Sequence, residues 1–165
     1  MNDPSEILDG DVVVTTLRPY DPADFEALYA IDRACYPRWI AYSRRELREF
    51  LEQPGTDCLV AQGEATEFGG IAGFLIAEAE GDEGHIITLD VVEAQRRKGI
   101  GTDLLAGMEK LLATRGVRSM FLETATTNEA GVAFWQRHGY RSFGVIRGYY
   151  SGRLDAYQMS KTITP

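Results

Sequence analysis

Apolar positions along the chain alternate between two periods, and the changes of period mark its elements. Val12–Leu17 is a short β-branched run, and the "YDPADF" that follows offers Asp21 as a helix N-cap with Pro22 at the first helical position. A second helix is predicted over about 43–52, because Ser43 and Glu46 have the S-x-x-E spacing of a capping box and Gln53–Gly55 supplies a stop. The apolar runs "DCLVAQ" and "IAGFLIAEA" flank the glycine-containing "GEATEFGG" and read as a hairpin. "HIITLDVV" reads as a further strand. Leu104, Leu105, Met108, Leu111 and Leu112 then recur at i, i+1, i+4, i+7 and i+8, one stripe of a helix that Gly116 ends. "VRSMFLETA" is a strand, "NEAGVAFWQRHG" a helix capped by Asn128 and stopped by Gly139, and the tail holds two strands around "GYYSGRLD".

This alternation predicts an α/β fold. The two hairpins require antiparallel neighbours and the strand-helix-strand unit favours a parallel pair, so the sheet is mixed. At 165 residues the chain fits one domain, 1–165, with a core over about 12–163, and no repeat or linker divides it.

Composition narrows the function. A net charge of −8 argues against a general nucleic-acid binder, whose footprint is basic. The first residues, "MNDPSEILDG", lack the basic and apolar regions of a leader, and no apolar run reaches the roughly 18 residues of a membrane span. The expectation is a soluble cytoplasmic protein without a membrane partner. Cys35 and Cys58, with only two histidines in the chain, suggest neither a disulfide framework nor a metal site.

Against that acidic background, Arg96–Gly101, "RRKGIG", concentrates three basic side chains and two glycines between a strand and a helix. A helix start leaves N–H groups unpaired, and a glycine loop lets further N–H groups converge, which suits a phosphate or pyrophosphate. A dinucleotide fingerprint would need glycine at position 104, which is Leu104, and the P-loop pattern is absent.

The segment resembles the Q/R-x-x-G-x-G/A loop of the GNAT superfamily of N-acetyltransferases. "FLETATTNEAGVAFWQRHGY" is similar to the strand, asparagine, helix and G-F/Y ending that follow it in that family, and "VIRGYYSGRLDAYQM" resembles the tail of protein N-terminal acetyltransferases. The resemblance spans about 12–163 and is strongest from 85 onward. It implies a mixed, mostly antiparallel twisted sheet flanked by helices, with splayed central strands, and acetyl-coenzyme A as cosubstrate. Backbone at Val91 and Val92 would pair with the pantetheine arm, and one of their N–H groups would receive the oxyanion. The segment Arg96, Arg97, Lys98, Gly99, Ile100, Gly101 and Thr102 would hold the pyrophosphate. Asn128 would reach the coenzyme, and Trp135 would line its sulfur or pack the core.

The same resemblance implies that Glu123 is the general base, with His85 helping to order the catalytic water. The proton donor departs from the pattern: twelve residues past Glu123 the ribosomal-protein enzymes carry a tyrosine, and this chain has Trp135, whose indole cannot relay a proton. Either the thiolate leaves unprotonated or another group acts, with Tyr140 and the pair Tyr149 and Tyr150 as candidates. Tyr149 and Tyr150 are assigned to the acceptor, and Tyr140 is kept in the catalytic set. Tyr36, Pro37, Trp39 and Tyr42 resemble an aromatic wall over the acceptor, with the usual proline-tryptophan-serine order altered.

For the acceptor, a free α-amine has a reference pKa of about 7.7–8.0 against about 10.4 for lysine, worth roughly 3.5 kcal/mol in forming the neutral nucleophile. A protein or peptide N-terminus is therefore expected. A small amine (polyamine, amino acid or aminoglycoside) and a non-catalytic acetyl-coenzyme A-binding module stand as alternatives, as do a monomer and a homodimer.

Overall fold

The computed structural model describes residues 15–63 and 67–164. Val12–Val14, the front of the first expected strand, lie outside them. Strand β1, Thr16–Pro19, is followed by a 3-10 turn, Pro22–Asp24, and only then by helix α1, Phe25–Cys35. The start expected at Pro22 is thus a tighter turn. Asp21 Oδ1 accepts from Ala23 N at 2.8 Å while Asp24 accepts from Asp21 N at 2.9 Å, and the Arg18 guanidinium grips both Asp24 oxygens.

Helix α2, Arg44–Glu52, opens on the expected capping box, Ser43 Oγ accepting from Glu46 N and Glu46 from Ser43 N. Strands β2 (Thr56–Gln62), β3 (Ile71–Glu80) and β4 (Glu83–Val91) form an antiparallel meander. Helix α3 runs Ile100–Thr114, strand β5 Ser119–Ala125, helix α4 Glu129–Arg137, and strands β6 (Arg141–Tyr150) and β7 (Leu154–Thr162) close the chain.

The sheet order is β1-β2-β3-β4-β5-β7-β6, antiparallel except between β4 and β5. The parallel pair exists because α3 carries the chain back across the sheet. It is short: Glu83, Gly84 and His85 face Ser119, Met120 and Phe121, after which β4 runs to Val91 and β5 to Ala125 unpaired with each other. The two central strands therefore splay, as the resemblance implies.

Apolar side chains fill both faces of the sheet. On one, Leu104, Leu105, Met108 and Leu112 of α3 meet Leu75, Ile86 and Leu122, so the predicted stripe is the buried face of the helix. On the other, Leu28 and Ile31 of α1 and Leu47 of α2 meet Val60, Phe74 and Ile76. Alternation along the strands sends Glu78, His85 and Glu123 to this second face, beneath α1 and α2. Among the described residues no helix is long and apolar enough to cross a membrane.

Candidate functional site

The mouth of the splay is where the expected base residues meet. His85 occupies the last parallel rung, opposite Phe121, and the two rings stack at 4.4 Å and 4°. Glu123 lies one alternate position further along β5, and its Oε2 is 2.6 Å from His85 Nε2. On the other side, Glu78 of β3 faces His85 Nδ1 at 3.4 Å. Burial alone would depress the His85 pKa, but the two carboxylates reverse this and leave it raised. Each ring nitrogen thus faces a carboxylate of its own.

Beyond the mouth, the outer edge of β4 is exposed to the gap. Val92 N donates to Ala72 O of β3 at 2.9 Å, so Val92 is removed from the oxyanion assignment. Successive peptide groups of a strand point to opposite sides, and the Val91 N–H therefore points into the gap. The carbonyls on that edge follow the same alternation. Tyr42 Oη donates to Ile87 O and Tyr36 Oη to Leu89 O, both at 3.4 Å, and Arg96 Nε donates to Val91 O at 3.1 Å.

That last bond revises part of the loop. Arg96 folds back on β4 and also approaches Cys35 Sγ at 3.6 Å, so its side chain fastens the loop, leaving the exposed Arg97 and Lys98 as the outward charges. Arg97 and Gly99 take left-handed backbone, φ 63° and 82°, which turns neighbouring N–H groups toward one side ahead of α3. A Cβ at Gly99 would meet nothing within 4 Å, so that side is open to a ligand. Gly101 has a different reason: a Cβ there would lie 3.3 Å from the Phe134 ring, so its bareness lets α4 pack close. Ile100 is buried, and the Thr102 hydroxyl pairs with His138 Nε2 at 2.9 Å; both offer the cradle only their backbone N–H.

The Asn128 side chain caps α4, its Oδ1 accepting from Gly131 N at 3.0 Å. Its amide nitrogen is the part left for a ligand. Trp135 is only 8% exposed and packs edge-on to Phe134 and Tyr140, which places it in the core among the two roles expected of it. Tyr140 requires a correction. It is 1% exposed, and its hydroxyl donates to Glu109 of α3 at 3.0 Å, on the carboxylate that Lys161 also holds. Burial and that carboxylate push the phenol pKa up, so Tyr140 is a packing residue.

At the β6–β7 turn, Tyr149 and Tyr150, the residues expected to border the acceptor, meet edge-on at 4.9 Å, near enough to Glu123 to feel its charge, and both phenols are raised, first by burial. Ser151 Oγ donates to Trp39 O at 3.2 Å and the Arg153 guanidinium lies 5.5 Å from the Trp39 ring centre, so the β6–β7 turn and the α1–α2 loop are joined as a roof. Tyr36, Trp39, Tyr149 and Tyr150 thus belong to two segments in contact. Three residues were missed in the sequence: Glu78, Asp32 and Asp90. The two aspartates interrupt otherwise apolar faces in "AIDRA" and "TLDVV", a signal that could have found them.

Comparison with known proteins agrees with this geometry. Residues 25–140 match the family described as Acetyltransferase (GNAT) family. An N-alpha-acetyltransferase of Saccharolobus solfataricus is 32% identical over 82 residues, which are 49% of this chain and 49% of the relative. The chain thus spans about half the length of that curated relative. The ribosomal protein bS18-alanine N-acetyltransferase of Escherichia coli K12 is 28% identical over 92% of this chain and 99% of its own. The crystal structure of Ard1 from Thermoplasma volcanium superposes with a TM-score of 0.81 at 25% identity, covering 93% of this chain and all of that one. With the loop, the splay and the strand order in place, the chain belongs to the GNAT acetyltransferase family.

Proposed function

We propose that the protein moves an acetyl group from acetyl-coenzyme A to the α-amine of a protein or peptide N-terminus. The observation that carries this reading is the Glu123 carboxylate, held at 2.6 Å by His85 where β4 and β5 part, on the face covered by α1 and α2. Acetyl-coenzyme A supplies an activated acyl group, so the protein has to position a thioester, remove protons from an amine and receive an oxyanion.

The residues present fit that cosubstrate. The Val91 N–H, pointing into the gap, receives the thioester oxygen. The N–H groups around Gly99 and the start of α3, with the charges of Arg97 and Lys98, hold the pyrophosphate, and the Asn128 amide reaches it from α4. Glu123 takes the amine proton through water, and His85 passes it toward Glu78 and solvent. An α-amine suits this base because it is neutral at far lower cost than lysine. The names of the two curated relatives, one an N-alpha-acetyltransferase and the other acting on an alanine of ribosomal protein bS18, point the same way.

The test is release of coenzyme A from acetyl-coenzyme A with a free-amino-terminal peptide, an N-blocked lysine peptide and spermidine. Turnover of the first above the others supports the proposal. Turnover of spermidine alone moves the acceptor to small amines and withdraws the roles of Tyr149 and Tyr150.

A further inference from the structure

The family position for the thiolate's proton donor is Trp135, Tyr140 is locked on Glu109, and the resemblance assigns Tyr149 and Tyr150 to the acceptor. We propose that Tyr36 donates this proton and that the buried carboxyl pair Asp32–Asp90 recharges it. The proposal rests on the acetyl-transfer reading above.

The Tyr36 hydroxyl lies on the free edge of β4, 3.4 Å from Leu89 O. Leu89 and Val91 are alternate residues of one strand, about 6.6 Å apart. A phenol at Leu89 is therefore within reach of a sulfur bonded to the carbon whose oxygen rests on the Val91 N–H. Tyr36 is anchored there by the α1–α2 loop, whose Tyr42 N–H donates to Asp32 Oδ2 at 2.8 Å.

Behind the phenol are the two aspartates. Asp90 is 1% exposed and Asp32 is 0% exposed. Thr88 Oγ1 donates to Asp90 Oδ1 at 2.5 Å, and the Tyr36 hydroxyl adjoins both Thr88 and Asp90. The remaining oxygens, Asp32 Oδ1 and Asp90 Oδ2, have no hydrogen-bond partner, although the two carboxyls adjoin each other. One proton between them satisfies both atoms and removes a second buried charge, which burial makes costly. Burial first, and for Asp90 its neighbour as well, raises both carboxyls, the direction that favours keeping this shared proton.

In the reaction the amine nitrogen bonds to the thioester carbon and gives its protons to Glu123 and water, while the carbon–sulfur bond breaks with its electron pair on sulfur. The thiolate takes the Tyr36 proton as the Tyr36 oxygen regains one from the Asp32–Asp90 pair by way of the Thr88 hydroxyl, which donates to Asp90 Oδ1 and adjoins the phenol. The concerted transfer avoids a buried phenolate, which matters because burial holds this phenol well above its ordinary pKa. After release of the products the carboxyl pair regains a proton from water.

Two donors test this: acetyl-coenzyme A and its selenium isologue, whose selenolate leaves without needing a proton. For Tyr36→Phe, kcat with acetyl-coenzyme A should fall about 100-fold, the scale of a lost general acid, while the selenoester rate should keep most of its wild-type value. Asp90→Asn, which preserves volume, should show the same donor dependence. An equal loss with both donors, as packing damage or a lost acceptor contact would produce, overturns the proposal, as does an unchanged rate with acetyl-coenzyme A. Wild-type protein that releases no coenzyme with any amine would instead overturn the acetyl-transfer reading, and this proposal with it.

Discussion

His85 Nε2 and Glu123 Oε2 are 2.6 Å apart across two parallel strands at the point where those strands stop pairing. Because Glu123 and Glu78 outweigh burial and raise the His85 pKa, the pair stabilises the fold in its charged form. That contribution is full below the unfolded histidine value of about 6.5 and is lost as pH rises through the higher folded value. Glu123→Gln should therefore cost about 1.5–3 kcal/mol near pH 6 and much less near pH 9, the range expected for a hydrogen bond to a charged group. Denaturant unfolding at the two pH values, with NMR titration of the ring, checks it. The same variant should lower kcat by about 100-fold or more as the base is lost, and wild-type turnover should rise with pH as His85 deprotonates.

The aspartate pair gives a second pH dependence of the same sign. Asp90 and Asp32 are raised in the fold, so the proton they share favours folding below the ordinary aspartate value of about 3.9, and this advantage is lost as pH climbs through the folded values. In Asp90→Asn the amide replaces the protonated carboxyl, and stability should hold or increase at pH 8 while the slope between pH 5 and pH 8 flattens. Melting temperatures at those two pH values decide it, and an equal drop at both would show that no proton is shared.

Gly99 and Gly101 stand two residues apart and should fail differently. Gly99→Val places a branched side chain at φ 82°, where left-handed backbone costs about 1–2 kcal/mol, and fills the open side of the cradle. The KM for acetyl-coenzyme A should rise by about 10-fold or more. Gly101→Ala sets a Cβ 3.3 Å from Phe134, an overpacking expected to cost about 1 kcal/mol, and Phe134→Leu should relieve it. Isothermal titration with coenzyme A, paired with thermal melts, separates the two.

Tyr140→Phe should leave kcat within about twofold while lowering stability by about 1 kcal/mol, because it removes one neutral donor from Glu109, which keeps Lys161. A large fall in kcat with unchanged stability would return Tyr140 to the chemistry.

The local elements were legible where a period and a cap coincide. Ser43 and Glu46 fix the start of α2, and the Leu104–Leu112 stripe fixes both the helix and the face it buries. The start of α1 was less so, since a 3-10 turn held by Asp21, Asp24 and Arg18 has the same cap residues as an α-helix. Within the candidate site, Glu123 and His85 were named from the chain, but Glu78 was not, because its relation to His85 is a cross-strand rung rather than a spacing.

Sequence by itself determined the residues whose role is local: the helix caps, the apolar stripes and the glycine at position 99, each set by neighbours a few positions away. Only the tertiary structure decided that Val91 rather than Val92 faces the gap, that Tyr140 belongs to Glu109, that Gly101 serves Phe134, and that Asp32 meets Asp90. Each of these depends on which strand or helix lies alongside. Hydrogen-bond direction and burial are properties of that neighbour as much as of the residue, and they take their values only when the sheet is assembled.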